Sequence, residues 1–412
     1  MSEHTVLDLR RMVVDGSLFR SPIEGDRIEA FIPPMGHENH ASNMMELSNG
    51  DLLCVWFAGS FEGTGDISIA MSRLPHNESK WTQPVWVSDD PSRSEQNPML
   101  FLTPENTLWL LYTAQKTREC SVKEWNRKVK AGEAEGGYCM QWTSIIRRRI
   151  SKDGGQTWGP VEALFESPGS FCRQPMLVMS NGEWLFPMYY SLPGKGHGND
   201  HTVMQISGDQ GNTWTEYPVP ESRGRVHASV LEIADGQLVS FFRSRAADRI
   251  YVSRSEDYGR TWTIPERTEL PNNNASIQAL KLQSGNIIIV FNQFSANDAD
   301  PDATIWPPQR YPVTVALSED NGHTWPYMRH VDTSDNFCGT KNQHLNRRCA
   351  YPSLMQTRDG AIHIAYSYRG RQCIKYVRVT ENWFKEQLDY VFTGNSSSEP
   401  PSSVSVTSVL AG

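Results

Sequence analysis

The feature that most constrains the fold is an octapeptide, S-x-D-x-G-x-T-W, which occurs four times with every fixed residue intact. The copies span residues 151–158, 207–214, 255–262 and 318–325, and each follows a β-rich run such as TVMQIS. In such a turn the Ser and Asp side chains can bond the local backbone, Gly can take a positive φ, and Trp can pack beneath. Four copies indicate a repeat architecture made of small β units.

A second repeat alternates with the first. Apolar, β-branched arms flank short turns in six places, which is typical of β-hairpins. The turns are Asn49-Gly50, Pro104-Glu105, Asn181-Gly182, Asp235-Gly236, Ser284-Gly285 and Asp359-Gly360. Each unit then contains four antiparallel strands, with the octapeptide turn between the third and the fourth. The sequence therefore predicts an all-β, six-bladed β-propeller.

The last blade, which ends at YVRVTENWF, lacks a fourth strand of its own. We expect an N-terminal strand, within residues 5–14 or residues 27–32, to complete it, because closing the ring removes exposed edges. Three regions follow: an N-terminal arm over residues 1–26, the propeller over residues 27–392 and a Ser/Pro-rich tail over residues 393–412. Residues 117–137 form a charged insertion, interpreted as a solvated loop, with a rim loop or short helix over the site as the alternative.

Composition excludes some partners. A formal net charge of −8 and a pI near 5.8 argue against a nucleic-acid or anionic-membrane partner. No stretch approaches the roughly 20 apolar residues of a membrane helix, and the first residues lack the apolar core of a signal peptide. The sequence as written is expected to be cytoplasmic, with secretion as the alternative if a leader has been removed.

The seven cysteines include no C-x-x-C pair, so neither a zinc site nor a disulfide framework is expected. Cys338 and Cys349 flank a polar loop and could pair in an oxidising compartment. His37 and His40 share a strand or loop, where their spacing does not converge on a metal ion. We therefore expect no metal and no other cofactor.

Propeller geometry predicts where a binding site lies. The innermost strand of each blade runs towards its hairpin turn, so residues about eight or nine positions earlier lie where the six strands converge. Counting back gives a ring of polar side chains: His40 with Ala41, Gln96 with Asn97, Arg173 with Gln174, His227, Ser276 with Asn274 nearby, and Tyr351. Convergent polar groups in a concavity are the default hypothesis for an active site. The alternative is that they only satisfy loop backbone groups.

Two arginines are expected at the same rim. Arg243 follows the second strand of blade 4, and Arg310 precedes the third strand of blade 5. Two guanidiniums in a pocket indicate a ligand that bears a carboxylate, because their fork geometry matches it. Trp306, in a Pro-rich loop, is the best candidate for stacking on a sugar ring.

With these motifs the chain resembles the sialidase (neuraminidase) superfamily over about residues 27–385, and the octapeptides correspond to its Asp boxes. The resemblance implies three arginines around a substrate carboxylate, a tyrosine nucleophile with a glutamate partner, and an aspartate acid/base. RSRAADRIYVSRSEDYG looks like the segment of the second arginine, here Arg243, and Arg310 looks like the third. CAYPSLMQTRDG resembles the tyrosine segment, which makes Tyr351 the counterpart of the nucleophile. Asp66, in SFEGTGDISIAMS, lies near the expected aspartate, with Glu62 as a rival.

Two positions depart from that superfamily. His40 stands where the first arginine is expected, and His227 stands where the glutamate partner is expected. Because histidine can take and return a proton near neutral pH, the set favours β-elimination at a uronate whose carboxylate Arg243 and Arg310 neutralise. His227 or His40 would abstract the C5 proton, and Tyr351 or the same histidine would protonate the leaving oxygen.

The sequence therefore predicts an enzyme that cleaves a glycosidic linkage at a terminal acidic sugar of an oligosaccharide or polysaccharide. The favoured hypothesis is a lyase that acts on a uronate, such as a rhamnose–glucuronate linkage, and the alternative is an exo-acting, sialidase-like hydrolase. A further alternative is a non-catalytic glycan-binding propeller, because fold does not fix function. The expected catalytic residues are His40, Asp66, His227 and Tyr351, and the expected substrate-binding residues are Gln96, Asn97, Arg173, Arg243, Asn274, Trp306 and Arg310.

Overall fold

The structure, a computed structural model, describes residues 13–21, 24, 26–194, 196–297, 299–333 and 348–386. Its strands form six antiparallel sheets, and this confirms the six-bladed β-propeller. The N-terminal strands are β1 (Phe19–Arg20) and β2 (Ile28–Ile32). Blade 1 contains β3 (Glu38–Glu46), β4 (Leu52–Gly59), β5 (Ser68–Leu74) and β6 (Val85–Trp86). Blade 2 contains β7 (Arg93–Leu102), β8 (Leu108–Lys116), β9 (Ile145–Ser151) and β10 (Glu162–Phe165).

The remaining blades repeat this plan. Blade 3 contains β11 (Ser170–Phe171), β12 (Leu177–Val178), β13 (Trp184–Tyr190), β14 (His201–Ser207) and β15 (Thr215–Pro218). Blade 4 contains β16 (Arg225–Ala234), β17 (Gln237–Ser244), β18 (Arg249–Ser255) and β19 (Glu266–Pro271). Blade 5 contains β20 (Gln278–Lys281), β21 (Ile287–Asn292), β22 (Val313–Ser318) and β23 (Tyr327–Asp332). Blade 6 contains β24 (Ala350–Gln356), β25 (Ile362–Tyr368) and β26 (Cys373–Val379), followed by helix Glu381–Lys385.

An N-terminal strand closes the ring. β2 pairs antiparallel with β26, from Ile28 opposite Arg378 to Ile32 opposite Ile374, and β1 adds outside it. Of the two segments proposed from sequence, residues 27–32 therefore complete blade 6. Residues 1–12 and 387–412 lie outside the described residues, so the boundaries of the arm and the tail stay predictions.

The four octapeptides form the turns between the third and fourth strands of blades 2 to 5. In each, the Ser hydroxyl donates to the Asp carboxylate at 2.7–2.9 Å, and the Thr N–H donates to the same carboxylate at 2.8–2.9 Å. Bonds from Thr213 lower the pKa of Asp209 to about 2. Gly322 has φ +81°, and a Cβ there would lie 2.5 Å from the ring of Phe241. These turns fix the strand connections at the outer part of each blade.

The apolar core lies between neighbouring blades. One cluster joins Val55 and Phe57 of blade 1 to Leu110 and Tyr112 of blade 2, and equivalent clusters follow around the ring. The octapeptide tryptophan Trp325 is buried in such a cluster. Stacking blades in this way buries the two faces of each sheet, which no single blade could bury alone.

The innermost strands are not regular at the end where they converge. Register shifts between His40 and Asn43, Gln96 and Met99, Val226 and Ser229, and Ala350 and Ser353 mark β-bulges in blades 1, 2, 4 and 6. Non-glycine residues with positive φ occur at these bulges and at the start of blade 5: Ala41, Asn97, His227, Asn274 and Tyr351, with φ between +50° and +60°. A bulge re-aims a side chain, and backbone strain of this kind is typical of functional sites.

The insertion of blade 2 contains a helix, so its interpretation as a plain solvated loop is wrong. Helix α1 (Val122–Lys130) begins after Ser121, whose hydroxyl accepts the N–H of Glu124 at 3.2 Å. The Arg118 guanidinium lies 3.4 Å from the ring centroid of Trp125 and also donates to the carbonyl of Tyr138 at 2.7 Å. The short helix over the site, proposed as the alternative, is what the structure contains, since Val122 and Asn126 line the central cavity.

Two further expectations concern the membrane and the thiols. In the described part of the chain, no helix combines the length and the apolar character that crossing a bilayer requires. Cys349 is buried, but Cys338 lies outside the described residues, so their pairing stays a prediction.

Candidate active site

A cavity of about 610 Å³ opens where the innermost strands converge. Eight of the eleven site residues predicted from sequence line it: His40, Gln96, Asn97, His227, Arg243, Trp306, Arg310 and Tyr351. The other three, Asp66, Arg173 and Asn274, are not part of its lining. The cavity is large enough for one or two sugar rings, and most of its lining side chains are polar or aromatic.

Tyr351 lies at the centre of this cluster. Its hydroxyl oxygen accepts a hydrogen bond from Nη1 of Arg243 at 2.6 Å. The ring of His40 lies 4.2 Å away between centroids, and the ring of His227 lies 5.7 Å away, edge-on. Burial alone would raise the pKa of Tyr351, but the charge of Arg243, aided by Arg310, outweighs burial and lowers that pKa. The tyrosinate is therefore easier to form here than in water.

The buried Arg243 and the half-buried Arg310 have no acidic partner among the described residues. Arg243 donates from Nε to Asn274 at 2.8 Å and from Nη1 to Tyr351, while its buried Nη2 has no hydrogen-bond partner. Arg310 donates to the carbonyl of Asn274 at 3.1 Å, and burial lowers its pKa to about 10. An unpaired N–H pointing into a polar cavity is suited to an anionic ligand. Asn274 acts on the cavity through Arg243.

His40 and His227 are both buried and anchored through Nδ1 by a serine of an adjacent blade. His40 bonds Ser367 at 2.7 Å, and His227 bonds Ser276 at 3.0 Å. Burial, followed by the charges of nearby arginines, holds the pKa of each ring well below its ordinary value. Both histidines are therefore neutral at physiological pH, and a neutral imidazole can accept a proton.

The opposite side of the cavity carries two carboxylates and a third arginine. Glu38 and Glu62 both contact the same nitrogen of Arg371, Nη1, at 2.9 and 2.8 Å. Burial would lower the pKa of Arg371, but Glu62 and Glu38 outweigh burial and raise it. The charge of Arg371 is therefore neutralised within the protein.

Asp66, the predicted acid, uses its carboxylate to bind other residues of its own turn. Its carboxylate accepts hydrogen bonds from the N–H and hydroxyl of Ser60 at 2.9 and 2.8 Å, and another from the hydroxyl of Thr64 at 2.5 Å. Burial would raise the pKa of Asp66, but these bonds together lower it. Glu62, the rival at this position, lines the cavity.

Arg173 lies beneath the cavity, where it joins several blades. Its guanidinium donates to the carbonyls of Ser42 and Tyr351, each at 3.1 Å, and to the hydroxyl of Ser276 at 3.3 Å. Burial lowers its pKa to about 10. Arg173 thus contacts the bulged backbone from below, and substrate contact at this residue stays a prediction.

The rim of the cavity near Arg243 and Arg310, here called the arginine side, contains an aromatic ring and an ion pair. Trp306 is 46% exposed, and its ring centroid lies 5.2 Å from the guanidinium carbons of both Arg243 and Arg245. Arg245 forms a buried ion pair with Asp200 at 2.6 Å. Trp306 is placed where an exposed ring face could meet a sugar.

Sequence reasoning missed Glu38 and Arg371. A signal for Arg371 was present, because the R-x-R that follows the second strand of blade 4, at residues 243–245, recurs after the second strand of blade 6, at residues 369–371. Equivalent positions of different blades meet at the same rim. Nothing in the sequence marked Glu38, which acts through its ion pair with Arg371.

The closed six-bladed ring, the Asp-box turns and this cavity define a sialidase-like Asp-box propeller. The sequence matches the BNR repeat-like domain over residues 50–364, and the chain belongs to that family.

Individual relatives agree with this assignment. A sialidase from Bacteroides fragilis (strain YCH46) is 26% identical over 212 residues, which cover 46% of this chain and 35% of that protein. The match thus spans about a third of the length of that curated relative. The Hadza microbial sialidase Hz136 superposes with a TM-score of 0.63 at 18% identity, covering 84% of this chain and 66% of that one. A variant of NanB sialidase from Streptococcus pneumoniae superposes with a TM-score of 0.63 at 16% identity, covering 93% of this chain and 73% of that one. At these identities the structural likeness shows the fold.

Proposed function

We propose that the protein is a glycosidase of the sialidase type, which hydrolyses the linkage of a terminal sugar that bears a carboxylate. The observation that carries the proposal is the Tyr351 hydroxyl in the cavity, which is bound by Arg243 and has a lowered pKa. The relatives named above as sialidases support hydrolysis over the elimination that the sequence favoured. The substrate class is an acidic oligosaccharide or polysaccharide.

The arginine side accounts for substrate binding. Nη2 of Arg243 has no protein partner, and Arg310 donates only to a backbone carbonyl among its described contacts. The two guanidiniums would bind the sugar carboxylate and place the anomeric carbon near Tyr351. Trp306 would stack on the sugar ring at the rim.

In the first step the oxygen of Tyr351 attacks the anomeric carbon while the bond to the leaving oxygen breaks. Neutral His227 takes the tyrosine proton, directly or through water, and the leaving oxygen takes a proton from an acid. In the second step water attacks the anomeric carbon of the glycosyl–tyrosine and gives up a proton, the bond from that carbon to the Tyr351 oxygen breaks, and His227 returns the tyrosine proton. Glu62 is the cavity carboxyl that would serve the leaving oxygen and then the water. In the first step Glu62 would act as the protonated acid, and in the second step the resulting carboxylate would take a proton from the attacking water.

The test is mass spectrometry of the products from a mixture of acidic oligosaccharides, with Tyr351→Phe as the comparison. Hydrolysis is expected to release the intact acidic sugar, and the Tyr351→Phe protein is expected to release none above background. Tyr376→Phe provides a control, because Tyr376 is buried between blades and does not line the cavity. Full activity of Tyr351→Phe would overturn the assignment of Tyr351 as the nucleophile.

A second candidate, β-elimination at a uronate, rests on one observation. Among the described residues, no carboxylate hydrogen-bonds to Tyr351, and the neighbours of its ring are the neutral histidines His40 and His227. A neutral histidine could abstract the C5 proton and Tyr351 could protonate the leaving oxygen. Elimination gives an unsaturated product that is lighter by one water molecule, so the same spectra separate the two reactions.

A further inference from the structure

The hydrogen bonds around His227 define which of its nitrogens carries the proton. Nδ1 lies 3.0 Å from the hydroxyl of Ser276, and Nε2 lies 3.5 Å from Nη1 of Arg243. An arginine has only donors, so an N–H on Nε2 would face another N–H. The lone pair therefore belongs on Nε2 and the proton on Nδ1.

Ser276 can accept that proton because its own surroundings make it an acceptor. Its oxygen also accepts Nε–H of Arg173 at 3.3 Å and lies 3.5 Å from Nε2 of Gln174, while its hydroxyl hydrogen can reach the carbonyl of Ile277 at 3.4 Å. Because Nε2 of Gln174 bonds the carbonyl of Ile277 more closely, at 2.5 Å, His227 and Arg173 are the two nearer donors on the serine oxygen. If the serine instead donated its hydrogen to Nδ1 of His227, the ring proton would have to lie on Nε2. That N–H would then face an N–H of Arg243.

We infer that Ser276, held by Arg173, is a positioning residue that fixes His227 with its proton on Nδ1 and its basic Nε2 turned towards Nη1 of Arg243, the same nitrogen that binds the Tyr351 hydroxyl. This deepens the proposed function and rests on it for its catalytic meaning, because Nε2 is then the atom that takes the tyrosine proton. Arg173 contributes without reaching the cavity, since it donates to Ser276 and to the carbonyl of Tyr351. A second-layer hydrogen bond that orients a histidine is a common device in active sites.

The other histidine lacks this arrangement. Ser367, which contacts Nδ1 of His40, accepts the N–H of Ala41 at 3.2 Å, and no guanidinium contacts it among the described residues. Its hydroxyl can therefore donate to His40 or accept from it. The structure thus distinguishes a fixed histidine from an adaptable one on the two sides of Tyr351.

The tautomer can be measured without any substrate. Protein labelled with ¹⁵N in the histidine rings gives two-bond ¹H–¹⁵N correlations whose pattern differs between the two tautomers. His227→Gln identifies the signal of His227. At neutral pH the wild type is expected to show the Nδ1–H pattern, and a signal with the proton on Nε2 overturns the inference.

Two variants test whether Ser276 and Arg173 fix the tautomer of His227. Ser276→Ala and Arg173→Met are each expected to lose the pure Nδ1–H pattern, because the acceptor or the donor that sets it is gone. Ser229→Ala is the matched control, since Ser229 bonds Ala279 between the same two blades without touching His227. An unchanged pattern in Ser276→Ala would remove the serine from the role.

Kinetics then connect the tautomer to the reaction. Ser276→Ala is expected to lower kcat about tenfold with KM nearly unchanged, because proton transfer is affected and substrate contacts are not. Charged or titratable groups acting on His227 are Arg173, Arg243, Arg245 and His40, with Tyr189 and Tyr351 packed against its ring, and all remain in this variant. An Nδ1–H pattern in a protein that cleaves no acidic glycan would overturn the proposed function and leave this inference intact.

Discussion

On one side of the cavity the buried Arg243 and the half-buried Arg310 have no acidic partner among the described residues, whereas on the other side Arg371 contacts both Glu38 and Glu62. Burying a guanidinium without a carboxylate is costly, typically by several kcal/mol. The fold offsets this cost at Arg371 with its own carboxylates. At Arg243 and Arg310 it does not, and this difference supports the proposal that these two charges bind an anionic ligand.

The geometry of the two sides differs as well as their charge. Arg243 uses its planar fork, with Nε on Asn274, Nη1 on Tyr351 and a buried Nη2 that has no hydrogen-bond partner. Arg371 uses one nitrogen for both glutamates. A lysine can replace a single point of positive charge, but it cannot replace a fork.

The largest expected effect follows from this difference. Arg243→Lys is expected to lower kcat/KM on an acidic sugar about 100- to 1000-fold, because a buried charge-assisted pair contributes about 2–5 kcal/mol. Arg371→Lys, which keeps one charged donor for two carboxylates, is expected to stay within about fivefold of the wild type. Steady-state kinetics of both variants, with thermal melting to show that each is folded, make the comparison. Equal losses in the two variants would show that the sides do not differ as described.

The side of the cavity that holds Glu38, Glu62 and Arg371 allows a second comparison. Both glutamates contact the same nitrogen of Arg371, but only Glu62 is proposed to transfer a proton. Glu62→Gln is expected to lower kcat about 100-fold, as the loss of a general base usually does. With a nitrophenyl glycoside the variant is expected to show a burst of nitrophenol, because the glycosyl–tyrosine forms but hydrolyses slowly. Glu38→Gln is the matched control, and a burst in that variant or none in Glu62→Gln would contradict the assignment.

The sequence predicted the fold because the relevant signals are local. Four Asp boxes and six hairpin turns define the blades, and β2 supplies the strand that the last blade lacks. The inner ends of the strands were also predictable, since counting back from the turns identified His40, His227 and Tyr351, which all line the cavity. Periodicity is sufficient to place such residues even though their backbone is bulged.

The rest depends on contacts between distant segments, which periodicity does not reveal. Glu38 and Arg371 are 333 positions apart and meet only because the ring closes. Arg173 satisfied the counting rule, yet its side chain extends under the cavity to Ser276 and Ser42. Asp66 occupied a plausible position, but its own turn uses its carboxylate. Side-chain direction and ion pairing therefore had to come from the structure.

The smallest expected effect is on stability, and it compares the histidines of the two sides. Because burial holds the folded pKa of His40 and His227 well below the ordinary value near 6.5, protonation favours the unfolded chain. Their contribution to stability is present above pH 6.5 and is lost as the pH falls below it. Each histidine is expected to lower the free energy of unfolding by about 1 kcal/mol between pH 6.5 and 5.5.

Urea unfolding at these two pH values measures this loss in the wild type, in His40→Gln and in His227→Gln. Each substitution is expected to reduce the pH-dependent loss by about 1 kcal/mol, whereas His323→Gln, at an exposed position, is the control. Because the two rings have similar burial, similar reductions are expected, although only His227 has a fixed tautomer. A reduction in only one variant would show that the other ring takes up its proton in the folded protein. If His227→Gln left the pH-dependent loss unchanged, His227 could not be the neutral base beside Tyr351.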